Sequence, residues 1–273
     1  MRKFLTILIL SALLTPSFAS AALTDNLLSY WKFDESSGAA EDSTANNLDL
    51  TNNNTTPYVS AKINNGADLE AGSSQYFSRS NGGTFDITAG TVNCWINAET
   101  LNNSSAIIDT QNPSGGASSG WYFQGRADGD MQFGFGNGTN QINAGAGSLT
   151  TATYYMVTAK WDTSRKEIYI NAVSEAASET DETLTAGAAN ITVGRHATLA
   201  ADHFDGIMDE CGIWSRALSD AEITELYNGG AGLSHPFTAA AAPKVPDIIT
   251  ISGNWPYYNY TQGPHRFAVN TWI

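Results

Sequence analysis

The run His203-Phe-Asp-Gly-Ile-Met-Asp-Glu-Cys-Gly-Ile-Trp-Ser-Arg-Ala-Leu-Ser-Asp-Ala-Glu-Ile-Thr-Glu-Leu-Tyr227 reads as a strand that passes straight into a capped helix. Phe204, Gly206, Ile207, Cys211 and Ile213 supply the apolar and small positions of a strand leaving an Asp205-Gly206 turn. Ser219 stands as an N-cap with Glu222 three residues later, the pattern of a capping box. Ala221, Ile223, Leu226 and Tyr227 then form a short apolar face, and Asn228-Gly229-Gly230 stops the helix.

Upstream, the chain is a succession of short strands separated by turn-rich stretches. Leu27 to Glu35 forms a first strand broken by Ser36-Ser37-Gly38, and Asn52 to Thr56 reads as a polar turn. Tyr58 to Leu69, Gln75 to Ser78 and Gly90 to Ala98 follow, the last with clean alternation. Leu101 to Thr110 and Trp121 to Gln124 are strands flanking a loose Gln111–Ser119 segment. In the next strand Met131, Phe133 and Phe135 face one way, Gln132 and the glycines the other. Tyr155–Asp162 and Lys166–Asn171 make a hairpin about Thr163-Ser164-Arg165, and Asn190 to Arg195 is a further strand. About a dozen such strands with one terminal helix argue for a two-sheet sandwich, and no helical periodicity is long enough for a crossover unit.

The 203–227 run closely resembles the C-terminal signature of laminin-G-like, concanavalin A-like jelly-roll domains. Leu27–Glu35, Asn65–Leu69, Gly90–Ala98, the 155–171 hairpin and Asn190–Arg195 are similar to other segments of that family. The resemblance implies an all-β, two-sheet antiparallel jelly-roll sandwich with a short C-terminal helix over residues 22–237. Thr44 and Ala45 stand where the family carries a glycine-rich loop, so that loop's shape does not carry over. The resemblance also implies a structural calcium between Asp34, near the end of the first strand, and Asp209, before the last; two rim carboxylates bonded to turn amides are the alternative. Cys94 and Cys211 both face inward by alternation, and in the related fold their strands share one layered core. A Cys94–Cys211 disulfide is therefore feasible, with two separate buried thiols as the alternative.

The ends have a different character. Arg2-Lys3, the apolar Phe4–Leu14 and Ala19-Ser20-Ala21 read as a signal peptide over residues 1–21, too short to span a bilayer. Export to the extracellular space or cell surface, from a bacterial-type cell, is the expectation. Removing Arg2 and Lys3 takes the net charge from −14 to −16, which disfavours nucleic acid and anionic lipid, and no segment for membrane insertion follows. Residues 238–246, with Ala239–Ala242 and Pro243, form a linker; 247–273 is a short β-rich tail or the truncated start of a further module.

Catalytic signatures are sparse. A jelly-roll glycosidase needs two carboxyls facing one cleft. Asp209 and Glu210 are adjacent and so face opposite ways on a regular strand. Glu175, Glu179 and Glu182 lie on no convincing strand, and Asp181-Glu182 sits in a polar stretch. His196, His203, His235 and His265 lack zinc-pair spacing and read as loop surface residues. Trp31, Trp161 and Trp214 read as core. Trp121 and Tyr122, after a Gly/Ser loop, and Arg195 and His196, opening a second loop, are the candidates for a ligand rim. The reading is a secreted, non-catalytic module, with no catalytic residues, that binds a glycan or an extracellular or surface protein. A glycoside hydrolase or polysaccharide lyase on the same scaffold, and an adhesive spacer of a surface assembly, are the alternatives.

Overall fold

The computed structural model describes residues 22–237, apart from 103, 113–118, 137–139, 146, 180–183, 186, 189 and 198–201. The signal peptide, the linker, the tail and Asp181-Glu182 lie outside the described residues. The strands, in chain order, are β1 (Leu27–Trp31), β2 (Thr51–Asn53), β3 (Tyr58–Ser60), β4 (Asn65–Leu69) and β5 (Tyr76–Ser80). Then come β6 (Gly90–Ala98), β7 (Ser105–Asp109), β8 (Trp121–Gly125), β9 (Met131–Phe135) and β10 (Asn140–Asn143). β11 (Tyr154–Trp161), β12 (Arg165–Ile170), β13 (Val173–Glu179), β14 (Asn190–Val193) and β15 (Gly206–Trp214) precede helix α1 (Asp220–Tyr227).

They form two antiparallel sheets. One runs β13-β12-β11-β6-β15-β4-β3, with β1 also on β15; the other runs β10-β9-β8-β7-β14-β5-β2. This is the all-β sandwich with one short terminal helix that the sequence implies. Strand alternation decides the core. Phe77, Val193, Ile108, Phe123, Phe133 and Ile142 are successive cross-strand partners from β5 to β10, and all six are buried in one apolar cluster. Trp31 and Trp161 join them from the other sheet. Trp214 is also buried, but in a second cluster beneath α1.

Cys94 and Cys211 are bonded as a disulfide, with Cα atoms 4.2 Å apart, joining β6 to β15 inside the first cluster. Helix α1 carries the capping box: the Ser219 side chain accepts from Glu222 N, and the Glu222 carboxylate accepts from Ser219 N at 2.8 Å. Ile223 and Leu226 pack it over Tyr30, Trp95 and Trp214 on the outer face of the eight-stranded sheet. No helix among the described residues is long and apolar enough to cross a membrane.

Three readings are corrected. Thr51–Asn53 pairs with β5 as an edge strand rather than forming only a turn. Glu175 and Glu179 do lie on a strand, β13, whose Val-Ser-Glu-Ala-Ala-Ser-Glu composition lacks apolar alternation because it is a solvent-facing edge. Asp209 and Glu210 do not face opposite ways. The β15–β6 register shifts between Asp209 and Gly212, and Glu210 takes a left-handed φ of 50°. Met208 and Cys211 both point into the core, so the two intervening acids share the outer side of that sheet.

Candidate functional site

The outward face of the seven-stranded sheet is as ordered as the inward one. Thr51, Ser78, Thr192, Asp109, Tyr122, Gly134 and Gln141 are successive cross-strand partners across all seven strands. A second outward row pairs Gln124 with Gln132 and Gln132 with Asn143. Asp109 is the only carboxylate in the strands of this sheet. The only basic strand residue, Arg79, is in register with the core residue Ile191 and so belongs to the inward side.

In the middle of the face the polar side chains are themselves buried. Asp109 Oδ1 accepts Gln111 N at 2.5 Å, while Oδ2 has no hydrogen bond of normal geometry, and His196 Nε2 stands 3.6 Å away. The same imidazole nitrogen lies 2.5 Å from Gln111 Oε1, and Gln111 Nε2 donates to Gly136 O. Burial pushes the Asp109 carboxyl well above its ordinary range and lowers His196, so both favour their neutral forms. The centre of the face is a buried network of amides, an imidazole and a carboxyl whose charged form burial disfavours.

The four candidate ligand residues separate. Trp121 is not on a rim: it is fully buried, its ring 5.2 Å from Trp161, its indole N–H donating to Phe85 O at 2.9 Å. On a strand Trp121 and Tyr122 must point oppositely, and the larger apolar ring took the core. Tyr122 does face outward but is buried at 3% exposure, next to Asp109 and within reach of Gln141. His196 is buried against Asp109 rather than lying on a loop surface. Arg195 lies apart, its guanidinium 3.7 Å from the Tyr76 ring centre on β5. Sequence reasoning missed Asp109, Gln111, Gln124 and Gln132. The signal for the last two was the polar half of the Trp-Tyr-Phe-Gln and Met-Gln-Phe-Gly alternation.

The carboxylates near the first and last strands meet around the turn before β4. Asp34 Oδ1 accepts Asn65 N at 3.0 Å and Oδ2 accepts Asn64 Nδ2 at 3.3 Å; Asp209 Oδ2 accepts Ile63 N at 2.7 Å. Asp209 Oδ1 and both Glu210 oxygens are enclosed without a hydrogen bond of normal geometry. Burial, opposed by the Ile63 amide, pushes Asp209 up to about 8, and burial lifts Glu210 to about 7, with Asp34 adding like charge to both. Asp34 and Asp209 are thus both bonded to turn amides, and Tyr30 and Ser234 reach the Glu210 carboxyl, while the enclosed Asp209 Oδ1 and Glu210 oxygens are hard donors of the kind calcium takes. Among the described residues, the trio of acids whose oxygens all lie within 4.8 Å of one another is a different one, Asp68, Glu70 and Glu99.

Comparison with known proteins agrees with this architecture. Domain 4 of an extracellular arabinanase from Geobacillus stearothermophilus, solved with arabinotriose, superposes with a TM-score of 0.54 at 19% identity, covering 73% of this chain and 97% of that one. The binding domain of botulinum neurotoxin DC aligns in its complex with rat synaptotagmin II (TM-score 0.59, 12% identity, 76% of this chain) and in its complex with SialylT (0.54, 14%, 72%). The chain spans 52% of each of those toxin domains. Comparison with curated proteins gives no match. A laminin G family model, described as concanavalin A-like lectin/glucanases superfamily, matches residues 71–224, and the chain belongs to that superfamily.

Proposed function

We propose that this protein is an exported, non-catalytic binding module that holds a glycan on the outward face of its seven-stranded sheet. The observation that carries the reading is the polar network at the centre of that face. Burying Asp109, Gln111, Gln124, Gln132 and His196 costs free energy that a purely structural sheet avoids with apolar side chains. Such an arrangement suits recognition of hydroxyl groups. The strands of that sheet carry one carboxylate, Asp109, where glycoside hydrolysis at that face needs two. A protein ligand is less well served, because Val173, on the other sheet, is the single exposed large hydrophobic residue among those described, and protein interfaces draw most of their energy from apolar and aromatic anchors. A glycan array probed with the full chain tests the reading. Retention of oligosaccharides supports it; an array on which nothing is retained contradicts it.

The same proposal includes a structural calcium held by Asp209 and Glu210 with Asp34. At a hundredfold excess over Kd, calcium is expected to add about 2.7 kcal/mol, roughly 5–10 °C in melting temperature for a domain of this size. Asp209→Asn should abolish that rise. In chelator the signs are fixed by linkage. The folded carboxyls of Asp209 and Glu210 lie above their unfolded values, so the native state binds more protons. Their stabilisation is present below about pH 4 and is lost as pH rises through about 7–8. Equal melting temperatures with calcium and with chelator, at neutral pH, would remove the metal.

A further inference from the structure

At the β10 edge of the outward face, two buried relays end on exposed amides. Tyr122 Oη donates to Gln141 Oε1 at 2.8 Å. Gln124 Nε2 donates to Gln132 Oε1 at 2.6 Å, and Gln132 Nε2 donates to Asn143 Oδ1 at 2.8 Å. Tyr122, Gln124 and Gln132 are 3%, 6% and 2% exposed, whereas Gln141 and Asn143 are exposed. Each relay therefore occupies the oxygen of its terminal amide and leaves the NH₂ group, a double donor, turned to solvent. Gly134 is part of the device. A Cβ there would come within 2.6 Å of the Tyr122 hydroxyl, so only glycine lets that ring cross β9 to reach Gln141.

An ordinary surface glutamine or asparagine rotates freely and loses that freedom on binding a ligand. Here the cost is met in folding, since both amides are held by side chains that cannot themselves move far. Residues two apart on a strand lie about 7 Å from one another on the same face. The result is a pair of fixed donors at a defined spacing, on a face whose outward strand positions carry no lysine or arginine.

We infer that Gln141 and Asn143 are ligand-contacting residues that donate to the hydroxyl and ring oxygens of an oligosaccharide. The inference rests on the glycan reading above and adds to it the contact residues. Arg195 is laid on Tyr76 at the far flank, whereas Arg126, two residues beyond Gln124, is close enough to act electrostatically on Tyr122.

Two substitutions test this without disturbing the relays. Gln141→Glu and Asn143→Asp keep an oxygen to accept from Tyr122 and Gln132 but replace the NH₂ donor by a second oxygen. Each is expected to leave the melting temperature within a few degrees of wild type. Each should weaken binding of a neutral oligosaccharide retained on the array by about tenfold, and the double variant should abolish it. Gln132→Met, which removes the donor to Asn143 Oδ1, should release Asn143 alone and leave Gln141 held by Tyr122. Side-chain NH₂ relaxation of ¹⁵N-labelled full chain reads this directly and needs no ligand. The Gln141 and Asn143 amides should be as rigid as the backbone in wild type, and Asn143 mobile in Gln132→Met. Mobile amides in wild type overturn the inference, as do donor-less variants that bind like wild type. If the amides are rigid and no sugar of any charge is retained, the glycan reading itself falls while the relay geometry stands.

Discussion

Opening the Cys94–Cys211 disulfide is expected to lower stability by about 5 kcal/mol, the largest effect of any single bond in this protein. The bridge closes a loop over a sequence separation of 117, and loop-closure entropy of that size is what the reduced, unfolded chain regains. Both half-cystines are fully buried in the main apolar cluster, so the sulfurs also fill core volume. The melting temperature should fall by about 10–20 °C on replacing both cysteines by alanine. Urea unfolding of the wild type with and without reductant checks the size without changing the core's composition. A midpoint that does not move in reductant would mean that the two thiols are not joined.

Trp121→Ala is expected to cost about 3–5 kcal/mol. The indole is enclosed by Trp161 and Phe85, and its removal leaves a large cavity and an orphaned Phe85 carbonyl. Trp121→Phe keeps most of the volume and forfeits the hydrogen bond, so about 1–2 kcal/mol is expected there. Chemical denaturation of the three proteins gives the series. A platform for a ligand on the rim would show the opposite pattern, with stability nearly unchanged. Trp121→Ala melting within a degree or two of wild type would restore it as a surface residue.

Most of the sandwich was legible because strand alternation and helix capping are local. Ser219 and Glu222 announce α1, and Met131, Phe133 and Phe135 announce which side of β9 is core. The 203–227 run and the other family-like segments point to the sandwich class and its closing strand and helix, while the order of strands in each sheet comes from the structure. The places where reading failed all depend on something non-local or on an irregular backbone. The Trp121-Tyr122 pair could be split by parity alone, but deciding which member goes inside requires the facing sheet that supplies Trp161. Glu210 carries no residue-type signal for its left-handed φ, since glycine or asparagine would be the usual occupant, and without that bulge Asp209 and Glu210 look unable to cooperate. The edge strand β13 lacks a readable pattern because Ala176 is, among those described, its one side chain packed on the core, while Val173, Ser174, Glu175 and Ala177 are exposed.

The candidate site shows the same division. His196, Tyr122 and Arg195 were picked for residue type beside long loops, and the structure brings the first two to Asp109 while sending Arg195 to Tyr76. Asp109 itself ends an apolar strand and has no feature in sequence that separates it from a turn-forming aspartate. The relays from Tyr122 to Gln141 and from Gln124 to Asn143 exist only once β8, β9 and β10 are in register, and register between three strands cannot be read from one chain.

The central claim, that a sugar sits on the outward face of the seven-stranded sheet, is tested most directly by mapping backbone amide shifts of the ¹⁵N-labelled full chain as a retained neutral oligosaccharide is added. Saturable shifts concentrated at Tyr122, Gln124, Gln132 and Gln141 to Asn143, with the Asp34–Asn65 turn and the α1 region unmoved, are the predicted result. Saturable shifts confined to that turn, to α1 or to the eight-stranded sheet, with β8 to β10 unchanged, would contradict it.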